Sequence, residues 1–383
     1  YNNYGTGILK IGDFTWDQNF VYKTVHEEPD IGIQLLTKND TIRFNSKPNN
    51  GVTITTVGYD HNYNPPHTVN IQKDEKDNQY ETCNSIAVQK DGKIVVGGSI
   101  VDSSGVLSFL LVRYDTDGTL DRSFGTDGNG KVTTNIATPM YDSCTCITIL
   151  NNGKIIAVGS SSNYTGSPFV ENTVIVCYNS DGTLNTSFNR TGILLGGNGI
   201  WRASAVYNNL KFVVGGYTVS GSKKEFTIAR YKQDGTLDSS FNPSGSTAGI
   251  VKTPFGGISD KVSSIIVLGD STIIAVGYGE YNSFNNIILA KYDSSGNLET
   301  TFGTNGTTVT SLVNNQNTKA SSIALQSDGR IIVGGRVGNG VNDDFFIARY
   351  KSNGQLDIGW GNNYEGFTIT HVSTSGNVRC HSI

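Results

Sequence analysis

The sequence predicts an all-β chain, a β-propeller of four-stranded antiparallel blades, and three observations carry that prediction. The first is repetition. Residues 85–124 read Ser-Ile-Ala-Val-Gln-Lys-Asp-Gly-Lys-Ile-Val-Val-Gly-Gly, a variable stretch, then Phe-Leu-Leu-Val-Arg-Tyr-Asp-Thr-Asp-Gly-Thr-Leu-Asp-Arg-Ser-Phe, and the pattern returns four more times. Each copy holds four short apolar runs rich in Val, Ile and Phe, too short for helices and therefore strands. The second is turn chemistry. In Lys90-Asp91-Gly92 and Thr116-Asp117-Gly118 the glycine is third in a three-residue loop, the type I turn with a left-handed bulge of a tight hairpin. The third is two-sided burial. Ile94-Val95-Val96, Ile155-Ile156-Ala157-Val158 and Ile331-Ile332-Val333 are apolar at consecutive positions, as strands covered on both faces require. Small sheets stacked radially meet that condition, whereas a solenoid or sandwich suits the four-strand unit less well.

The copies follow in order. Residues 8–20 hold a lone two-strand unit, Ile8–Ile11 and Trp16–Phe20, without a first hairpin. Residues 31–72 form a worn copy whose fourth strand is blurred by Asn64-Pro65-Pro66. Five clear copies carry Tyr114, Tyr178, Tyr231, Tyr292 and Tyr350 on their third strands, at intervals of 64, 53, 61 and 58 residues. The chain then reaches Cys380-His381-Ser382-Ile383, which matches Cys83-Asn84-Ser85-Ile86 and begins another copy. The expected architecture is a single domain over residues 1–383 with seven blades, the seventh split between the termini. Six closed blades are the alternative.

The bulk properties exclude several functions. At a net charge of −4 the 383-residue chain offers no electrostatic case for nucleic acid. No apolar run approaches the ~20 residues of a helical membrane span. Five Asn-x-Ser/Thr sequons, at Asn39, Asn163, Asn185, Asn189 and Asn305, lean weakly toward an extracellular or particle-surface location.

The pattern Ala-x-x-x-Asp-Gly-Lys-Ile-Val-Val-Gly-Gly followed by Ala-Arg-Tyr-x-x-Asp-Gly-Thr-Leu-Asp-x-Ser-Phe resembles the delta-60 repeat family of β-propellers and, more distantly, NHL-type blades. The resemblance covers about 300 residues and departs at both ends. It implies an interaction or surface module rather than one reaction.

Candidate chemistry is sparse. Arg113, Arg230, Lys291 and Arg349 precede the repeat Tyr, and Asp121, Asp238, Glu299 and Asp357 follow the repeat Leu. The copy with Cys177 loses the acid too, at Asn185, so the two positions read as a weak cross-strand pair near solvent rather than a catalytic ring. The Asp-x-Asp-Gly turn lacks the alternating carboxylates of a calcium loop. Cys83, Cys144 and Cys380 share a repeat position filled by Ala320 elsewhere, which suits a small buried side chain. Cys144-x-Cys146 lacks a second ligand pair, and the five histidines have no ligand spacing. No metal or cofactor is expected.

An enzyme with an axial site would need charged groups on the innermost strands, and Ile86-Ala87-Val88, Ile147-Thr148-Ile149 and Ile323-Ala324-Leu325 supply almost none. The variable loops, residues 99–108, 160–173, 217–225, 278–286 and 336–344, lie at the end opposite the Asp-Gly hairpins. Tyr164, Phe169, Tyr217, Tyr278, Tyr281 and Phe284 are the ligand-binding candidates there, since aromatic side chains anchor protein and sugar alike. The expected function is non-catalytic binding of protein or glycan, with a structural filament or shell subunit as the alternative and a propeller lyase, hydrolase or quinoprotein ranked below both. Homo-oligomers are compatible with either of the first two.

Overall fold

The computed structural model describes residues 40–46, 52–58, 67–71, 81–101, 105–137, 141–163, 170–208, 211–338, 343–371, 380 and 383. The chain divides into two compact units. One comprises Tyr1–Val170 with Val176–Asn185, the other Glu171–Ile175 with Thr186–Ile383.

The described residues form antiparallel strands and one 3₁₀ turn, Asn362–Tyr364. In the first unit, β1 (Asp40–Ser46), β2 (Val52–Gly58) and β3 (His67–Ile71) make a three-stranded sheet. The fourth strand of the worn copy is therefore present, at β3, just beyond the Asn64-Pro65-Pro66 stretch that obscures it in sequence. The first complete blade follows: β4 (Glu81–Val88), β5 (Ile94–Val101), β6 (Leu107–Tyr114) and β7 (Lys131–Thr134). The second begins with β8 (Tyr141–Ile149), β9 (Ile155–Ser162) and β10 (Glu171–Tyr178). Its outer strand is the start of β11 (Ile193–Asn208), which from Gly199 pairs with β12 (Lys211–Ser220) and so becomes the inner strand of the third blade. That blade continues through β13 (Lys223–Lys232) and β14 (Ile250–Thr253). The fourth is β15 (Lys261–Val267), β16 (Ile273–Tyr281), β17 (Phe284–Tyr292) and β18 (Thr307–Thr310). The fifth is β19 (Asn317–Leu325), β20 (Ile331–Gly338), β21 (Asp343–Tyr350) and β22 (Phe367–Thr370).

The middle strands are buried on both faces, as their unbroken apolar runs require: every residue of β9 is buried, and β5 is buried from Val95 to Ile100. Each inner strand carries a bulge, at Cys83/Ser85, Cys144/Cys146, Trp201/Ala203, Val262/Ser264 and Ala320/Ser322. Adjacent blades interlock there. A Cβ on Gly97 would lie 2.3 Å from Ile147, and one on Gly215 would lie 2.3 Å from Ile265. Ile383 occupies the same place over Gly334, at 2.6 Å, so Cys380 and Ile383 stand where a following blade's inner strand begins. Residues 8–20 lie outside the described residues, and with them the expected joining of the termini. The shared cysteine position is small and buried, and all five cysteines are free thiols.

A second interlock sits at the Asp-Gly end. The exit phenylalanine of one blade lies against the turn glycine of the next: Phe124 under Gly182, Phe188 under Gly235, Phe241 under Gly296 and Phe302 under Gly354. All four rings are buried, and a Cβ on those glycines would come within 2.7–3.0 Å of them. The glycines also sit at φ between +81° and +89°, so the turn and the ring select the same residue. A main-chain hydrogen bond accompanies each ring, for example Asn242 N–H to Ser295 O at 2.6 Å. The third-strand tyrosines add to this, Tyr178 donating to Thr134 Oγ1 at 2.7 Å and Tyr292 sharing a 2.5 Å bond with Thr253 Oγ1.

The repeated acid–base pair is not the exposed surface pair that its spacing suggested. Arg113 Nε and Asp121 Oδ2 are 2.7 Å apart, Arg230 and Asp238 2.6 Å, and Arg349 and Asp357 2.8 Å. Arg113, Asp121, Arg230 and Asp238 are at most 6% exposed. A second base joins from the start of the second strand: Lys93 on Asp121 at 2.8 Å, Lys211 on Asp238 at 2.8 Å. The guanidiniums cross to the next blade, Arg113 donating to Ser180 O at 2.5 Å and Arg230 to Ser294 O at 2.6 Å. They also cover the clamp ring, Arg230 lying 4.5 Å from the Phe241 centroid. Burial raises the Asp238 carboxyl, but hydrogen bonds from Lys211, Ser240 and Arg230 more than offset it and hold the acid well below the usual carboxylate range. The odd copy keeps Cys177 and Asn185, both buried, and Asn185 Oδ1 has no hydrogen-bond donor.

Two outcomes follow for stability. Phe241→Ala should lose about 3–5 kcal/mol in denaturant titration, as truncation of a fully buried ring does; a loss under about 1 kcal/mol would remove the clamp's importance. Asp238→Ala leaves Arg230 buried and the half-buried Lys211 beside it without a counter-charge and should cost about 3–5 kcal/mol. Because the folded-state pKa is depressed, the pair's stabilisation is present above the unfolded carboxylate pKa of about 4 and is lost as pH falls below it. A pH–stability profile of the variant that still shows the full acid loss of the parent would contradict this. Restoring the pair in the odd copy by Cys177→Arg with Asn185→Asp should be neutral or slightly stabilising in the same titration.

Candidate functional site

Opposite the Asp-Gly end, the second unit gathers cations and tyrosines. The inner-strand bulge brings the backbone of β16 so close to β15 that a Cβ on Gly277 would lie 1.8 Å from the Lys261 carbonyl oxygen. Only glycine fits, and the following residue, Tyr278, then pairs with Lys261 across the strands. The same register recurs in the neighbouring blades, pairing Ile200 with Tyr217 and Lys319 with Arg336. One side-chain row therefore runs from blade to blade. Lys261 Nζ lies 5.6 Å from the Tyr217 ring centroid and 5.3 Å from that of Tyr278, and Lys319 Nζ lies 5.6 Å from Tyr278. Lys224 Nζ lies 4.8 Å from the Tyr217 ring and 3.5 Å from its hydroxyl.

These ammoniums are held by ring faces rather than by carboxylates. Among the described residues none of Arg202, Lys224, Lys261 and Lys319 has a carboxylate at ion-pair distance. The nearest acid, Glu171, is used otherwise, accepting the Tyr217 hydroxyl at 2.9 Å. Arg202 occupies the bulge of β11, and its Nε is buried without an acceptor. Burial, together with the charges of Arg202, Lys224 and Lys319, pushes the Lys261 ammonium down to about 8. Burial and the Glu171 carboxylate push the Tyr217 hydroxyl well above its usual range, so it stays a neutral donor. The arrangement is a set of cations fixed in place with their charges uncompensated, suited to receiving an anion.

Only part of the aromatic set foreseen for this end takes the expected form. Residues 217–225 and 278–286 are not long loops: β12 and β13 meet across Gly221-Ser222, and β16 and β17 across Asn282-Ser283. Asn282 and Ser283 both have positive φ, at 52° and 67°, the two-residue hairpin geometry that matches strand twist. Tyr217 is consequently 3% exposed and serves as a prop for lysines, and Tyr278 is half-buried in the same role. Tyr281, 52% exposed, and the half-buried Phe284 flank the hairpin tip as accessible aromatic surface. Tyr164 and Phe169 lie outside the described residues. The lysines were missed because the inner strands were read from their apolar cores, whereas Lys261 and Lys319 stand four residues before Ile265 and Ile323. Their shared repeat position in consecutive copies was the available signal.

The family comparison agrees with this architecture. Residues 89–124, 150–188, 211–241, 268–302 and 326–357 match a β-propeller domain of unknown function, DUF5122. The chain is a β-propeller repeat protein. The first four matched segments end on the clamp phenylalanines Phe124, Phe188, Phe241 and Phe302. Among solved structures, a polysaccharide lyase of family PL25, an ulvan lyase, is 8% identical with a TM-score of 0.45 over 88% of this chain and 85% of that one. Sqt1 from Chaetomium thermophilum is 12% identical with a TM-score of 0.38, covering 78% of this propeller chain and 79% of its own. The β-propeller domain of the Trilobed protease from Pyrococcus furiosus is 12% identical with a TM-score of 0.35, covering 80% and 77%. No curated protein matches the chain. Among the described residues of this propeller no helix is long and apolar enough to cross a membrane, and no three His, Cys, Asp or Glu side chains cluster to hold a metal.

The lysine row makes one outcome measurable. Lys319→Gln should raise the Lys261 pKa from about 8 toward its ordinary 10.5, read from the ¹⁵N or ¹³Cε shift of Lys261 against pH. The folded-state value is depressed, so the unfolded chain binds more protons in that window and stability rises with pH between the two values. An unchanged Lys261 titration would mean that the two ammoniums do not sense each other.

Proposed function

We propose that this propeller, a member of the delta-60 repeats, is a non-catalytic binding module displayed outside a cell or on a particle, and that it takes protein or glycan through the end opposite its Asp-Gly hairpins. One observation carries the reading: opposite the Asp-Gly hairpins, where Arg336 is paired with Asp343 and Lys252 with Glu225, a neighbouring group of cations has ring faces and no paired acid. At the Asp-Gly end Arg113, Arg230 and Arg349 are each neutralised by an aspartate, the first two pairs buried and the third partly so. At the other end, among the described residues, Arg202, Lys224, Lys261 and Lys319 have no carboxylate at ion-pair distance, and the accessible Tyr281 and Phe284 stand at the hairpin tip of the blade that carries Lys261. Uncompensated charge beside exposed aromatic surface costs stability and favours recognition. The neutral Tyr217 and the ring-bound lysines hold fixed positions suited to binding.

The reading is tested on protein and glycan arrays with Tyr281→Ala and Phe284→Ala. Both should lose binding ten-fold or more with melting temperature nearly unchanged, while Lys90→Ala and Lys351→Ala at the Asp-Gly end leave binding intact. Equal losses from both ends would overturn the choice of face. Chemical conversion of the bound ligand would overturn the non-catalytic assignment.

A further inference from the structure

The lysine row also bears on what is bound, an inference that rests on the binding reading above. We propose that the Lys261–Lys319 row with Arg202 is a subsite for the carboxylates of an acidic polysaccharide, whose sugar rings run outward onto Tyr281 and Phe284.

Three features point to an anion that arrives with the ligand. Lys261 lies between the rings of Tyr217 and Tyr278, and Lys319 lies against the other side of the fourth blade at Tyr278, so two ammoniums are presented on successive blades at one register. Holding like charges this close without acids is unfavourable unless a ligand supplies the counter-charge. Arg202 carries a buried Nε with its hydrogen-bonding capacity unspent, and an arginine fork suits a carboxylate. The acid beside the row, Glu171, accepts the Tyr217 hydroxyl and offsets only a small part of the charge on Lys261.

The surroundings select a sugar chain over a nucleic acid or an acidic peptide. The cations form a short row rather than an extended basic track, on a chain whose net charge is −4. Tyr281 ends β16, three residues beyond Tyr278 and so on the other face of the strand, and it pairs across the hairpin with Phe284, which sets the two rings side by side at the exposed tip. The exposed tips beside it are short and hydroxyl- or amide-bearing, Ser220 and Ser222 on one hairpin and Asn282 and Ser283 on the next, the groups that hydrogen-bond sugar hydroxyls. Tyr217 and Tyr278 do not stack on the sugar, because their faces are occupied by the lysines; Tyr281 and Phe284 are the rings left to do so.

The test measures binding of polygalacturonate by titration calorimetry, against neutral dextran, poly-glutamate and a single-stranded oligonucleotide of matched charge. Polygalacturonate should bind, weaken with added salt, and weaken again as pH rises through the Lys261 value of about 8. Lys261→Gln with Lys319→Gln should lose affinity ten-fold or more, and Lys261→Arg with Lys319→Arg should retain most of it at pH 7 while flattening the alkaline decline. Circular dichroism and melting curves confirm that each variant is folded. Equal affinity for poly-glutamate or the oligonucleotide would overturn the proposal, as would indifference of polygalacturonate binding to the Gln variants. If dextran or a protein binds in a Tyr281-dependent way and polygalacturonate does not, the acidic-glycan inference fails and the binding reading stands. If the Tyr281 face binds nothing in either experiment, the binding reading itself fails.

Discussion

An aromatic ring seated on a glycine holds successive blades together, and much of what repeats in this chain repeats to preserve it. Phe124, Phe188, Phe241 and Phe302 leave one blade and fill the space that a side chain on Gly182, Gly235, Gly296 or Gly354 would occupy. The glycine is needed twice, for the left-handed turn and for the ring, so the hairpin and the packing between blades depend on the same atom's absence. Burial of a phenylalanine contributes on the order of 1.5–3 kcal/mol, and the contact recurs with each blade. The arginine above the ring adds order more than energy: a buried ion pair recovers little beyond its own desolvation, but its geometry admits only one register between neighbours.

Charge is treated differently at the two ends of a blade, and the difference follows from which residues can reach each other. Next to the Asp-Gly hairpin, the bases before the repeat Tyr and the acids after the repeat Leu face each other across three turn residues, so Arg230 meets Asp238 inside its own blade. At the other end the inner strand begins, the outer strand of the preceding blade has stopped, and no acid shares the register of Lys261 or Lys319. Arg336, opposite Lys319, is answered by Asp343, but at the two lysines tyrosine faces take the place of carboxylates. A ring quadrupole steadies an ammonium without neutralising it, which leaves a field that the protein does not itself satisfy and a Lys261 whose proton is loosely held.

Departures from the repeat are informative for the same reason. The Cys177/Asn185 copy abandons both members of the ion pair at once, because a lone buried charge would cost more than an uncharged pair. The shortened hairpins at Asn282-Ser283 and Gly221-Ser222 continue the strands almost to the tip, which moves Tyr217 and Tyr278 from an anticipated loop into the packed interior of the row.

Local rules were enough to read the four-strand unit, the three-residue turns with left-handed glycine, the two-sided burial and the cross-strand position of Arg113 and Asp121. Each depends on residues within a few positions of one another, where spacing and geometry are the same statement. Tertiary structure decided the rest. That the Arg–Asp pair is buried depends on Ser180 and Ser294, contributed by the following blade more than 60 residues away. That the exit phenylalanine matters depends on a glycine in the next copy. The candidate site is the clearest case: Lys261 meets Tyr217 from the blade before it, and Lys319 meets Tyr278 in the same way. Reading the inner strands from their apolar cores passed over those lysines; only the packing of one blade on the next places a ring beside each.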